Sequence, residues 1–198
     1  MASQFYDRYV NNDLLAFLCR PQCPEGCSIA SLATAINYLF GADHGIRTQE
    51  DVAEALGFRA EDIGIEGGPG NEIVLDWFRK YTAEMGWQAS CRVLLDREDV
   101  RDESRDDGIF EELKEIIRGR ETVLVYHLEH HYNLVCGYLE HATKAQEAYG
   151  ASSPQRRWLI LADTSSERDP IWSIRWKAVR EDFRHDRRHC LLAFSRTG

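Results

Sequence analysis

Apolar residues recur at helical spacing in the first half of the chain, whereas they alternate with polar residues in much of the second half. The sequence predicts a helix over 27–40, because apolar side chains return there every three or four positions. No glycine, proline or charged residue interrupts this stretch. Such a helix is apolar nearly all round and is expected to lie inside a domain. The helix is predicted to end within 41–45.

The same reasoning predicts further helices and a set of strands. Thr48 and Gly57 bracket a short helix as N-cap and stop signal, and Asn71 caps another that ends at Gly86. Helical spacing also continues over 109–118 and 175–183. Alternating or continuous apolar runs predict the following strands: 87–95, 122–128, 131–139, 158–162 and 189–194.

This order of elements predicts an α+β fold, with an antiparallel sheet packed on the buried helix. A chain of 198 residues is most simply one domain spanning 1–198. Within it, 1–21 is predicted as a lead-in segment and 140–156 as a flexible insertion between two strands. The glycine-rich stretch 59–70 is predicted as a loop, since it lacks the Lys-Ser/Thr ending of a phosphate-binding loop.

Composition narrows the classes of function. The net charge of −9 argues against a general binder of nucleic acid or of an anionic membrane. No apolar run approaches the ~20 residues needed to span a bilayer, and the N-terminus shows no signal-peptide core. A cytoplasmic location is therefore expected, and the six cysteines are interpreted as free thiols.

Cys27 opens the buried helix and is the candidate nucleophile. The N-terminus of a helix favours the thiolate form of a cysteine, and its free N–H groups can hold a developing oxyanion. The alternative is a buried structural cysteine, because free cysteines are among the most buried residues. Cys23 is a second candidate, but it lies before Pro24 and outside the predicted helix.

His131 begins one predicted strand and Asp163 ends another. A thiol nucleophile needs a base, and the base needs an acceptor on its other ring nitrogen to fix its orientation. His131 is favoured as the base over His130, which would face the opposite side of the strand. Asp163 is the candidate orienting residue, with a plain loop aspartate and Asn133 as the alternatives.

Taken in order, these motifs resemble the papain-like cysteine peptidase superfamily, and within it the phytochelatin synthases and bacteriocin-leader peptidases. Three stretches carry the resemblance: Gln22 with Cys27-Ser28-Ile29-Ala30-Ser31-Leu32, His131-Tyr132 with Gly137-Tyr138, and Leu159-Ile160-Leu161-Ala162-Asp163. The resemblance implies a papain-like fold, with an N-terminal helical part that carries the nucleophile helix and a C-terminal antiparallel sheet. It also implies that Gln22 is an oxyanion donor. Ser28, where the group usually has glycine, and Glu25 depart from the family pattern.

The expected function is a cysteine-dependent hydrolase or acyl transferase. It would cut a peptide or γ-glutamyl amide bond through Cys27, His131, Asp163 and Gln22, by way of a thioester. A peptide or glutathione-like substrate is expected, without cofactor, metal, nucleic acid or membrane. Two alternatives stay open: a catalytically silent domain that binds a peptide or partner, and a metal-binding protein using Cys19, Cys23 or the histidines of 127–131. The sequence does not assign an oligomeric state.

Overall fold

The computed structural model describes residues 6–59, 69–128, 130–143 and 155–198. Its centre is an antiparallel sheet in the order β2-β7-β3-β4-β5-β6, with β1 paired to the far end of β4. The seven strands of the described residues are β1 (Tyr6–Val10), β2 (Ala89–Leu95), β3 (Thr122–Leu128), β4 (His131–Ala142), β5 (Gln155–Ala162), β6 (Ile171–Arg175) and β7 (Cys190–Arg196).

Helices cover both faces of the sheet. On one face α2 packs on β3, β4 and β7, with α3 and α4 beside it, and on the other face α5 packs on β3 and β4 while α6 packs on β5 and β6. The described helices are α1 (Asn12–Ala16), α2 (Cys27–His44), α3 (Gln49–Leu56), α4 (Asn71–Glu84), α5 (Asp106–Arg118) and α6 (Trp176–His185).

Strand alternation divides the core in two. In β3, Val123 and Val125 join the cluster around α2, whereas Leu124 and Tyr126 join the cluster under α5 and α6. This is the period-two pattern of a strand buried on both faces. A strand of this kind offers few places for a polar side chain, so His127 at the end of β3 stands out.

Helix α2 is longer than predicted. It continues through Gly41 to His44, and the chain leaves it at Gly45, whose φ of +84° is the left-handed conformation that glycine adopts without strain. The predicted stop at Gly41 is wrong because the helix remains packed there: a Cβ on Gly41 would lie 3.0 Å from the side chain of Ile46. The glycine thus allows close packing and does not break the helix.

The predicted order of helices first and strands second is also wrong. The described part of the chain begins with β1, which lies in the predicted lead-in segment 1–21. β2 stands between α4 and α5, where the strand 87–95 was predicted between two helices. β6 occupies 171–175, where the sequence predicted no strand, because alternate residues of this edge strand are exposed. Of the predicted insertion, 140–142 belong to β4 and 155–156 to β5, while 144–154 lie outside the described residues.

The predicted cap at Asn71 is wrong, because α4 begins at Asn71 with Gly70 as its N-cap and no side-chain bond caps it. Several other predicted boundaries agree with the structure. Thr48 caps α3 through a reciprocal bond with Asp51, and Gly57 ends that helix in the left-handed conformation. β3 spans the predicted residues, and β4, β5 and β7 extend beyond their predicted ends. Most of the predicted loop 59–70 lies outside the described residues.

Candidate functional site: the cavity at the start of helix α2

A tight turn delivers the chain to α2. The N–H of Gly26 donates to the carbonyl oxygen of Cys23 at 2.8 Å, which closes a turn with Pro24 and Glu25 at its centre. Glu25 has a φ of +56°, a left-handed conformation that is uncommon for a residue with a side chain. A Cβ on Gly26 would lie 2.1 Å from the sulfur of Cys23, so only glycine fits there. The turn therefore fixes Glu25 at the rim of the helix start.

Cys27 is the first residue of α2, and its thiol is held in a closed environment. The residue is 8% exposed, and its Sγ donates weakly to the carbonyl oxygen of His130 at 3.9 Å. Burial raises the pKa of the thiol, and the charges of Glu25 and Asp163 add to this effect. The backbone N–H groups of Ser28 and Tyr132 interact with the sulfur and act in the opposite direction, but the net shift is upward. The thiol is therefore neutral at physiological pH.

The structure places His131 beside Asp163. Nε2 of His131 lies 2.9 Å from Oδ1 of Asp163, and the backbone N–H of Ser165 donates to the same oxygen at 2.8 Å. Asp163 is fully buried at the end of β5. Within the described residues, no hydrogen bond joins this pair to Cys27.

Gln22 is bound to the end of β5. Its backbone N–H donates to the carbonyl oxygen of Thr164 at 2.9 Å, and its Oε1 accepts from the Thr164 hydroxyl at 2.8 Å. These contacts anchor the loop that precedes α2. The catalytic roles assigned from the sequence to Cys27, His131, Asp163 and Gln22 stay predictions.

A cavity of about 180 Å³ opens beside Cys27. Its lining consists of Glu25, Cys27, Pro69, Gly70, His127, His130, Tyr132 and Arg188. His131 is not among these residues, but His130 is. His130 precedes β4 with a φ of +64°, so it does not follow the alternation of the strand that the sequence predicted for it.

The wall of the cavity is built on a stacked pair of rings. His127 and Tyr132 lie with ring centroids 4.3 Å apart and an interplanar angle of 11°. Nδ1 of His127 lies 3.0 Å from the carbonyl oxygen of Arg188, so Nδ1 carries the proton and donates it. Burial lowers the pKa of His127 to about 4, so the ring is neutral at pH 7 with an unprotonated Nε2. The Tyr132 hydroxyl donates to the carbonyl oxygen of Pro69 at 3.0 Å.

Sequence reasoning identified the residues around the thiol but missed this wall. His127 follows Val123 and Val125 on the same face of β3, and a polar residue in an otherwise apolar series is a signal that was available. Arg188 and Gly70 carried no such signal, because their place at the cavity depends on how separate segments pack together.

Two further observations concern metal-ligating side chains and helices long enough to cross a membrane. Within residues 6–59, 69–128, 130–143 and 155–198, no group of three or more His, Cys, Asp or Glu side chains is arranged to hold a metal ion. Over the same residues, no helix combines the length and apolar character required to cross a membrane.

Comparison with known proteins identifies the family. The family model of the basic immunoglobulin-like variable motif-containing protein matches residues 7–196. The chain belongs to this family. Proteins of the same name from Xenopus laevis and Homo sapiens are 27% and 25% identical over 93% of the chain. A protein of that name from Giardia intestinalis is 25% identical over 82% of the chain and 69% of its own length.

Membership of the basic immunoglobulin-like variable motif-containing family corrects the resemblance stated from the sequence. The papain-like assignment, the papain-like fold class, and the peptidase or acyl-transferase function are wrong: the whole-chain match is to another family, and none of these three relatives is named as a peptidase or transferase. The short motifs that suggested it cover a helix start and two strand ends, which different families can share. The chain spans 44% of the length of the Xenopus laevis and human relatives.

Proposed function

We propose that this member of the family is a binding domain, which holds one residue of a peptide or protein partner in the cavity at the start of α2 without covalent catalysis. The observation that carries the proposal is a preformed cavity whose wall holds the buried thiol of Cys27. The peptide partner is the one expected from the sequence, and the catalytically silent domain is the alternative retained there.

The size of the cavity favours one residue of a larger partner over a whole small molecule. Small-molecule sites usually enclose ~300–1,000 Å³, whereas this cavity measures about 180 Å³. Its wall is held by bonds that connect separate segments. Tyr132 reaches Pro69, and Asn71 Nδ2 donates to the carbonyl oxygen of Arg188 at 2.6 Å. A preformed cavity costs little to order when a partner binds.

The state of the thiol supports binding rather than covalent chemistry. A thiolate, not a thiol, is the nucleophile, and burial raises the pKa of Cys27. The sulfur is directed to a backbone carbonyl oxygen instead of an imidazole ring. The expected consequence is a cysteine that alkylates more slowly than a model thiol of pKa ~8.5.

Gly70 gives a direct test of the cavity. It lines the cavity, and a Cβ placed on it would meet no atom within 4 Å, so Gly70→Leu fills space without forcing the backbone. Fluorescein-labelled heptapeptide pools, each with one fixed central residue and degenerate flanks, are titrated by fluorescence anisotropy. At least one pool is expected to bind the wild type, and Gly70→Leu is expected to weaken it more than tenfold.

The matched control is Gly108→Leu. Gly108 is exposed on α5, on the other face of the sheet, and also has open space around its Cα. Its substitution is expected to leave binding unchanged. Failure of every pool to bind, equal binding by Gly70→Leu, or recovery of cleaved peptide or a Cys27 acyl adduct by mass spectrometry would overturn the proposal.

A further inference from the structure

Resting on the proposed function, we infer that the cavity selects a lysine side chain of the partner, whose ammonium group is received by the Glu25 carboxylate and by Nε2 of His127. Among the described residues, the charged side chains that line the cavity are Glu25 and Arg188, and they differ in whether another side chain already pairs with them.

Glu25 carries the unpaired charge. Within the described residues it has no ion pair or side-chain hydrogen bond, and it is exposed at the rim. The turn closed by Gly26 holds its backbone in a left-handed conformation, next to the residue that opens α2. Such backbone outliers persist where the surrounding structure enforces them and cluster at binding sites.

Arg188 does not provide an opposing free charge. Its guanidinium contacts both carboxylate oxygens of Asp186, with Nη2 at 2.7 Å and Nε at 3.2 Å. The same contact holds the pKa of Asp186 well below its ordinary value. The carboxylate of Asp186 therefore offsets the positive charge of Arg188 at the cavity.

His127 supplies a buried acceptor. The residue is 5% exposed, its Nδ1 is used by the Arg188 carbonyl oxygen, and its Nε2 has no hydrogen-bond partner in the described part of the chain. A neutral imidazole nitrogen of this kind accepts a hydrogen bond. Among the described residues, the carbonyl oxygen of His130 receives the weak thiol bond at 3.9 Å and has capacity for another donor. An ammonium group has three donors and no acceptor, which is complementary to a cavity lined by the Glu25 carboxylate, Nε2 of His127 and this carbonyl oxygen.

The helix dipole, the nearby charged side chains and the net charge of the chain also bear on the ligand, and together they favour a cation. The positive end of α2 would attract an anion, but the Ser28 N–H group is already directed at the Cys27 sulfur. Among the main influences on the pKa of the Cys27 thiol, the charged side chains are Glu25 and Asp163, and Asp163 is already bound to His131. The chain as a whole carries a net charge of −9, which steers cationic partners toward it.

The test compares heptapeptide pools that differ only at the central residue, which is lysine, acetyl-lysine or glutamate. Acetyl-lysine keeps the length of the side chain and removes its charge. The lysine pool is expected to bind wild type at least tenfold more tightly than the other two. Glu25→Gln, which keeps the shape of the side chain, is expected to remove this preference. Glu115→Gln, an exposed carboxylate on α5, is the control and should retain it.

The outcomes separate this inference from the proposed function. Equal binding of the lysine and acetyl-lysine pools, tighter binding of the glutamate pool, or an unchanged preference in Glu25→Gln would overturn the inference while Gly70→Leu still abolishes binding. Loss of the lysine preference in Glu25→Gln alone, with affinity for acetyl-lysine unchanged, would support it. Absence of binding by every pool would overturn both.

Discussion

The two ends of β4 bury polar groups in opposite ways. At the C-terminal end, Glu140 is 1% exposed, and both of its carboxylate oxygens are bonded: Oε2 accepts from Lys114 at 2.9 Å and Oε1 from Arg157 at 2.7 Å. Lys114 also pairs with Asp7 at 2.9 Å, which ties β1 to α5. Each charge of this cluster has partners of the opposite sign.

The N-terminal end of β4 leaves polar atoms without partners. Asn133 is fully buried, and in the described part of the chain neither of its amide atoms has a hydrogen bond. His127, which is 5% exposed, likewise has no hydrogen-bond partner for Nε2 among the described residues. An unsatisfied buried polar group costs ~1–3 kcal/mol, so this end of the strand is not arranged for stability alone.

The two ends of β4 are therefore expected to serve different roles, one in stability and the other in binding. The paired cluster holds β1, α5 and β5 on the sheet. His127 lines the cavity at the start of α2, whereas Asn133 lies in the core between Tyr132 and Leu134 and does not line it. Native proteins accept local cost mainly at functional sites. Stability should therefore depend strongly on the paired end, and binding should depend on the unpaired end.

The largest effect is expected from Glu140→Ala. It removes the carboxylate shared by Lys114 and Arg157, which keep only their more exposed partners Asp7, Glu111 and Asp107. Breaking a buried pair from one side usually costs ~3–5 kcal/mol. Urea unfolding is expected to show a loss of that order, with binding of the best peptide pool unchanged in the folded fraction.

Glu115→Ala is the control for this substitution, since its side chain is 76% exposed and pairs with Arg118 only at the surface. A change below ~0.5 kcal/mol is expected for it. If the two variants lost the same stability, the cluster would not be the structural end of the strand.

A smaller effect is expected from pH at the unpaired end. Burial lowers the pKa of His127 to about 4 from an ordinary value of 6.5. Between these values the unfolded chain binds a proton that the folded chain does not, so this contribution to stability is present above pH 6.5 and is lost as the pH falls toward 4. A shift of that size corresponds to about 3 kcal/mol. The free energy of unfolding is measured in urea at pH 7 and pH 4.5.

His127→Asn isolates this contribution, because an amide can still donate to the Arg188 carbonyl oxygen and does not titrate. The decline in stability from pH 7 to pH 4.5 is expected to be smaller in the variant than in the wild type by most of this amount. Equal declines would show that the imidazole is not buried in its neutral form.

The sequence predicted local structure well where a signal lay within a few residues. Thr48 and Gly57 bounded α3, and the alternation in 122–128 gave the bounds of β3. The buried helix was recognised because no charge interrupts it. These features depend on caps and periodicity, which are local.

What the sequence did not predict depends on contacts between distant segments. β1 was missed because its identity rests on pairing with β4, more than a hundred residues away. The cavity wall was missed for the same reason, since His127, Arg188 and Gly70 meet only in the folded chain. The papain-like assignment failed differently: short motifs at a helix start and two strand ends were given the weight of a whole-chain match.

Asn133→Leu gives the smallest expected change and the sharpest test of the comparison. Leucine has a similar size and needs no hydrogen bond, so removing an unsatisfied amide is expected to be neutral or to stabilise the fold by about 1 kcal/mol.

The matched control is Asn37→Leu. Asn37 is also buried, but it donates to the carbonyl oxygen of Arg47 at 2.8 Å and accepts from its N–H at 2.7 Å. Losing both bonds is expected to cost ~2 kcal/mol. If urea unfolding showed equal losses for both variants, the amide of Asn133 would have partners in solution, and the two ends of β4 would not differ in the way proposed.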